Sequence, residues 1–363
     1  MSVIIFILVL VALIVVHEFG HFITAKAFRM RVEEFGLGYP PRAAVIAKRG
    51  GTEYTLNWLP FGGFVRIHGE DDTDAVSHDS FPAKPRWQQA TVLLAGIGMN
   101  LLFAWLLISI TLALGMPRGL SDAEIARAKN PELAVSHILP GSPADIAGLA
   151  AGDLIESARA GDETFAGADA DAFTSFVARS AGKPIALTVE RNGQELTLTA
   201  TPTVGAVPNA PGRAALGVGV APFGVVPLAW YEAPITGAEI TADATVQIAS
   251  GLLSFFAGLF TFTADLSQVS GPIGIAGAVG GAASSGAAAL LSLTAIISIN
   301  LALINLLPVP ALDGGRLLFV LIEAVTRRRL PSKAAAAANS IGFMLLILLM
   351  LVVTAHDLWK IFA

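Results

Sequence analysis

His17-Glu18-Phe19-Gly20-His21 carries the residue types in this chain best suited to chemistry. Histidines four apart on a helix share one face and can hold one zinc ion through their imidazole nitrogens. The glutamate between them then stands beside the metal as a general base. The setting sharpens the reading. Val3 to Val16 has no charged or strongly polar side chain, and the first basic residue after the motif is Lys26. Ionisable groups inside so apolar a run are costly, which makes them functional candidates by default. Two histidines do not complete a catalytic zinc site, which usually has three protein ligands and an open position. The chain contains no cysteine, so the third ligand must be a histidine or a carboxylate.

Asp313 is the best candidate, in Asn305-Leu306-Leu307-Pro308-Val309-Pro310-Ala311-Leu312-Asp313-Gly314-Gly315. Two prolines predict a break in the helix there, since each lacks an N–H and disfavours helical geometry in the residue before it. Paired glycines allow close backbone approach. A broken helix at membrane depth is tolerated where it is buried in protein or lines a watery cavity. The alternative role for Asp313 is to cap the helix running on through Leu317 and Leu318. If the third ligand were instead a glutamate, Glu323 is the late candidate. His17 lies roughly 20 Å along its helix from Val3, at ~1.5 Å per residue, and Asp313 is expected at a similar depth.

The elements that must position these groups are membrane spans. The chain of 363 residues is 54% hydrophobic and only 14% charged, with mean hydropathy +0.67, which fits a polytopic membrane protein with a soluble portion. A net charge of −5 gives no reason to expect nucleic-acid binding. About four spans are expected, near residues 3–25, 90–114, 286–305 and 340–355. The loop from Lys26 to Arg86 holds nine Lys and Arg residues, and Arg327, Arg328, Arg329 and Lys333 follow the third span. The positive-inside rule places both at the cytoplasmic face. Residues 244–264 carry no charge either. If they crossed, Asp313 would move to the opposite side from the histidines, so an interfacial or re-entrant segment is expected. His68 and His78, with Glu70, Asp71, Asp72 and Asp74, read as a solvated acidic loop rather than a second metal site.

The two motifs in this order resemble the site-2 protease family of intramembrane zinc metalloproteases, bacterial regulator of sigma-E protease type. Phe61-Gly62-Gly63-Phe64-Val65 is similar to that family's glycine-containing membrane-associated β segment. Ser270-Gly271-Pro272-Ile273-Gly274-Ile275 and Ser298-Ile299-Asn300 extend the likeness. The resemblance implies His17, His21 and Asp313 as zinc ligands, Glu18 as catalytic base, and Asn300 and Asn305 as substrate contacts. Gly62 and Gly63 are expected to pair with an unwound substrate as a strand. One departure is Ala95-Gly96-Ile97-Gly98-Met99-Asn100, where the family more often has proline after the first glycine.

Residues from about 120 to 203 differ in character. His137-Ile138-Leu139-Pro140-Gly141-Ser142-Pro143-Ala144, Ala147-Gly148-Leu149 and Gly152-Asp153-Leu154-Ile155 are similar to the core of a bacterial-protease PDZ domain, present once. A helix is predicted over 171–181, and strands over 185–190 and 195–201 around an Asn192-Gly193 turn. The expected fold is thus a polytopic α-helical membrane protein with a membrane-associated β segment and one extracytoplasmic PDZ-like α+β domain. Its parts are a first membrane half (1–115), the PDZ-like domain (116–205), a linker with the interfacial segment (206–285) and a second membrane half (286–363). The resemblance implies a bacterial inner-membrane enzyme with its active site towards the cytoplasm. Its partners would be single-span membrane proteins, such as a pre-trimmed anti-sigma factor or remnant signal peptides, peptide termini at the PDZ domain, and the lipid bilayer. The competing reading is a non-catalytic PDZ-bearing membrane scaffold.

Overall fold

The computed structural model describes residues 2–70, 77–191, 193–207, 212–261 and 270–362. It divides into two compact units, Met1–Leu114 with Trp230–Ala363, and Gly115–Ala229.

The first unit opens with α1 (Ser2–Ala27), in which an apolar run free of proline and, until Gly20, of glycine sustains one long helix. β1 (Val32–Arg49) and β2 (Thr52–Ile67) follow, then a 3₁₀ turn at Phe81–Ala83 and α2 (Arg86–Ala113). The expected short β segment is larger than the sequence indicated. β1 and β2 each fold back, so Val32 faces Ile67 and Leu37 faces Gly63, while residues 34–37 also lie beside 53–56 and residues 42–49 pair with 57–52. Four segments result, with residues 63–67 at one edge. One buried carboxylate joins all four: Glu34 meets Arg42 at 2.9 Å and Arg66 at 3.2 Å, and accepts from the Thr55 hydroxyl at 2.8 Å.

The second unit is built on an antiparallel sheet. Its elements are β3 (Arg118–Gly119), α3 (Asp122–Ile125), β4 (Lys129–Ile138), α4 (Pro143–Ile146), β5 (Leu154–Ala160), β6 (Glu163–Ala166), α5 (Ala170–Arg179), β7 (Ile185–Arg191), β8 (Gln194–Ala200), β9 (Thr203–Val204), β10 (Ala214–Ala215) and β11 (Val218–Val225). The strand order is β3-β11-β4-β5-β7-β8, with β6 on β5. α5, β7 and β8 lie close to where the sequence predicts them; Asn192 of the turn is outside the described residues. β11 comes from a stretch read as linker, yet it pairs along its length with β4. β3 covers its other side at residues 223 and 224, and the Leu120 amide donates to the Pro222 carbonyl at 2.9 Å, so among the described residues 218–221 keep an open edge. The core alternates inward from the strands, with Leu133, Val135, Ile155, Ile185, Leu187 and Val189 packed on Phe173 and Phe176 of α5.

The chain returns to the first unit through α6 (Glu232–Thr261), α7 (Pro272–Ser284), α8 (Ala287–Leu306), α9 (Asp313–Thr326) and α10 (Ser332–Phe362). Five helices among the described residues are long and apolar enough to cross a membrane: Ser2–Ala27, Arg86–Ala113, Glu232–Gly258, Ala287–Leu306 and Lys333–Trp359. Large apolar side chains stand exposed along them, among them Ile4 and Leu8 on α1 and Met344 and Leu351 on α10, as a lipid solvent requires. The chain is a multi-pass membrane protein with a β-rich unit. The segment 244–264 falls within and beyond α6, and its last residues lie outside the described ones. α6 meets α2 where Trp105 Nε1 donates to the Pro234 carbonyl at 2.8 Å, and Ser109 packs on Gly237 one turn further along both helices. α7 is held at its start by Asp357 of α10, whose carboxylate accepts from the Gly271 and Gly274 amides at 3.2 and 2.9 Å. Its later turns reach Ser2 at Gly280.

Candidate active site

The prolines end α8 at Leu306, and the chain loops through Leu307–Leu312 before α9 begins at Asp313. Paired glycines make the loop tight enough: a Cβ at Gly314 would lie 2.3 Å from the carbonyl oxygens of Leu306 and Leu307, and one at Gly315 2.2 Å from that of Val309. The Ala311 amide, freed by the break, donates to Asn339 of α10 at 3.2 Å. Asp313 thereby starts a helix without capping it, since its carboxylate turns to α1 instead.

There it meets both histidines. Asp313 Oδ2 lies 2.9 Å from His17 Nε2 and 3.2 Å from His21 Nε2, and the two Nε2 atoms are 3.2 Å apart. Tetrahedral zinc with bonds of about 2.0–2.2 Å places its ligand atoms roughly 3.3 Å apart, so this triangle has the size of one tetrahedral face. The far side of each ring is equally defined. His21 Nδ1 donates to the Val92 carbonyl at 2.8 Å. His17 Nδ1 lies 3.3 Å from the side-chain amide of Asn100, which is fully buried. The Asn100 Oδ1 atom is buried with no partner as placed. Turning the amide so that Oδ1 accepts from His17 Nδ1–H gives that oxygen its bond and fixes the ring, since the network decides an amide's orientation. Both imidazoles then direct an unprotonated Nε2 at Asp313. Three lone-pair donors facing one another at this spacing fit a divalent cation, with the outward Nδ1–H bonds as the usual supporting shell.

α2 supplies the room. A Cβ at Gly96 would fall 2.3 Å from His21 Nε2 and 2.8 Å from His17 Cε1, and one at Gly20 would fall 2.4 Å from the Ala95 carbonyl oxygen. The departure from proline at Ile97 leaves α2 an unbroken helix, with Ile97 buried.

Glu18 follows His17 on α1 and is half-buried. The edge residue Gly63 stands next to it, its Cβ direction 3.9 Å from Glu18 Cγ, and Gly62 faces Ile14. Asn300 donates to the Ile296 carbonyl of its own helix at 3.0 Å, and Asn305 is half-buried at the end of α8. Neither lies in the ligand triangle. Glu323 is engaged elsewhere, with Arg86 at 2.6 Å and the Leu330 amide at 2.8 Å. His68 pairs with Glu33 at 2.8 Å, while Asp71, Asp72 and Asp74 lie outside the described residues. Sequence reasoning missed Asn100. The available signal was an amide midway along a charge-free span, the same cost argument that marks the histidines.

Comparison with known proteins gives the family. The sequence profile of peptidase family M50 matches residues 5–349. A Clostridium perfringens relative, provisionally named a zinc metalloprotease, is 35% identical over 96% of this chain and 95% of its own length. The membrane metalloprotease ARASP of Arabidopsis thaliana chloroplasts is 31% identical over 96% of this chain and 77% of its own. Zinc metalloprotease RasP of Oceanobacillus iheyensis is 28% identical over 99% of both. Family and geometry together identify a zinc metalloprotease, and the chain belongs to peptidase family M50, the site-2 protease family.

Proposed function

We infer that this enzyme hydrolyses peptide bonds within or near the transmembrane segments of single-span membrane proteins, as in regulated intramembrane proteolysis. A pre-trimmed anti-sigma factor or a remnant signal peptide fits that class. The observation that carries the reading is the convergence of Asp313 with His17 and His21 of the apolar helix α1, beside Glu18 and a strand edge that no other strand pairs among the described residues.

The proposed ligands are His17, His21 and Asp313. Zinc held there supplies a Lewis acid that activates water and stabilises developing negative charge. Glu18 takes the proton of the attacking water and passes it to the leaving amine. A scissile bond in a helical substrate is shielded by its own hydrogen bonds, so the substrate must be unwound. The edge at Gly62 and Gly63 offers free backbone groups to the extended chain. Asn300 and Asn305 add further backbone contacts at the end of α8.

The topology supports one active side. A helix returning antiparallel beside α2 would pair residue numbers in opposite order, whereas Pro234 with Trp105 and Gly237 with Ser109 rise together. That favours α6 lying obliquely at the outer surface. α7, held by Asp357 near the end of α10 and by Ser2 at the start of α1, would lie there too. α8 then runs inward to the site, and the basic segments face the cytoplasm of a bacterial inner membrane. The β-rich unit reads as a PDZ-like module on the outer side. The open edge of β11, with a groove of about 190 Å³ between α5 and Leu216–Val218, suits a docked peptide terminus.

Replacing Glu18 with Gln tests the chemistry. In detergent, with a panel of single-span substrates, cleavage should fall by about 10²–10⁴-fold while zinc content holds. Unchanged cleavage would remove Glu18 from the mechanism, and zinc absent from both forms would favour the scaffold.

A further inference from the structure

A cavity of about 530 Å³ opens in the first unit among β2's end, α2, α9 and the start of α10. Each of three walls leads back to a different catalytic group. Along α2, Leu93 in the wall follows Val92, whose carbonyl holds His21. On α9, Arg316 stands one turn beyond Asp313. Past the end of β2 the chain turns, the Glu70 amide donating to the Ile67 carbonyl at 3.1 Å, and this turn puts Gly69 and Glu70 in the wall a few residues beyond Gly63, which stands beside Glu18. Arg329 and Leu330, from the basic connection between α9 and α10, are part of its lining.

Two ion pairs brace the walls, Arg316 with Glu70 and Arg86 with Glu323, both at 2.6 Å. Arg329 also donates to the Pro82 carbonyl at 3.3 Å. Four of the five lining charges are spent in these two ion pairs, which leaves Arg329 alone to favour a guest of one sign. What remains is apolar surface from Phe81, Leu93, Phe319 and Leu330. Such a lining suits an extended peptide of mixed sequence better than a phosphate or a small cation.

We propose that this cavity binds the cytoplasmic flank of the substrate, the residues next to the scissile bond on the side of the basic loops. The inference rests on the protease reading given above and adds to it a second binding region. A strand paired with residues 63–67 advances about 3.3 Å per residue. Substrate positions roughly four to seven from the cut would therefore enter the cavity. The edge aligns the backbone, and the cavity takes the continuing chain as it leaves the membrane.

The test fills the cavity. Ala335→Trp puts a large side chain into the wall from α10. Cleavage of a substrate with a ten-residue cytoplasmic flank should fall at least about tenfold, as expected when a reacting segment is misplaced. A substrate whose flank ends two residues from the cut should be cleaved as by wild type, and zinc content should not change. An equal loss on both substrates, or none on either, would overturn the proposal. A second measurement does not depend on tolerance of the tryptophan. A photoreactive residue at Leu330, in the Glu18→Gln background to keep substrate whole, should crosslink to flank positions four to seven. Crosslinks to the membrane core of the substrate alone, or none, would count against it. The protease reading fails separately, if the Glu18→Gln enzyme cuts as fast as wild type.

Discussion

Asp153 in the β-rich unit and Asp313 in the membrane unit are both drawn out of water, and they differ in what completes them. Asp153 is 1% exposed and takes two bonds from Arg191, at 2.6 and 2.7 Å, and a third from the Ala150 amide at 2.8 Å. The chain supplies every partner, so the pair is closed and structural. Asp313 is 17% exposed and faces two imidazole nitrogens whose ring hydrogens are committed to Val92 and Asn100 on the other side. With both rings neutral its surroundings are lone pairs, an arrangement that a divalent cation would complete. A buried carboxylate thus marks function when its own protein leaves it unfinished.

Removing the unfinished member should have the largest effect. Asp313→Ala is expected to abolish stoichiometric zinc binding and cleavage together, while hydrogen exchange across the β-rich unit stays as in wild type. If the variant keeps zinc, the triangle is not the ligand set. A subtler break lies one bond further out. Asn100→Leu should weaken zinc about 10- to 100-fold in chelator competition, the usual cost of losing a ligand's supporting partner. Asn100→Asp, which still accepts from His17, should retain most of the affinity. Equal losses in both variants would make Asn100 a packing residue.

The closed pair gives the contrasting result. Arg191→Ala leaves a buried carboxylate unpaired and should destabilise the β-rich unit by about 2–4 kcal/mol, less than for a fully buried pair because Arg191 is a third exposed. Faster exchange at β7 amides with unchanged zinc affinity would show it. The smallest effect is in pH. Burial alone would raise the Asp153 carboxyl, but its bonds from Arg191 and Ala150 hold it below the ordinary value. A depressed folded pKa contributes stability above the unfolded value of about 3.9 and loses it as pH falls further. Protection of the unit should therefore be flat above about pH 5 and decline below about pH 4, with the decline reduced in Arg191→Ala.

Much of this centre could be read from local sequence because its signals are local. His17, Glu18 and His21 lie within one and a half turns, and the prolines and glycines around Asp313 announce the break that aims it. The sequence already favoured Asp313 over Glu323, and packing adds that Glu323 pairs with Arg86. Asn100 acts across 83 residues of chain, a separation at which no pattern of neighbours reports contact. The β segment was legible at Phe61–Val65 but not in its doubling back, which depends on register shifts and on Glu34 meeting Arg42, Thr55 and Arg66. α6 starts at Glu232, ahead of the charge-free window, because helical hydrogen bonding tolerates the scattered polar residues that a hydropathy window penalises.

Gly96 gives the site an asymmetry of tolerance. Alanine is ordinarily the mildest replacement in a helix, and relative to glycine it favours the helical state by about 1 kcal/mol. At this one position the added methyl would occupy the space of the two imidazoles. Gly96→Ala should therefore raise the thermal stability of α2 or leave it unchanged while displacing the ligands, so zinc affinity and chain stability would move apart. A centre of this kind is guarded by an empty volume: at Gly98, two residues on, the same helix-favouring methyl meets nothing, while at Gly96 it meets the imidazoles.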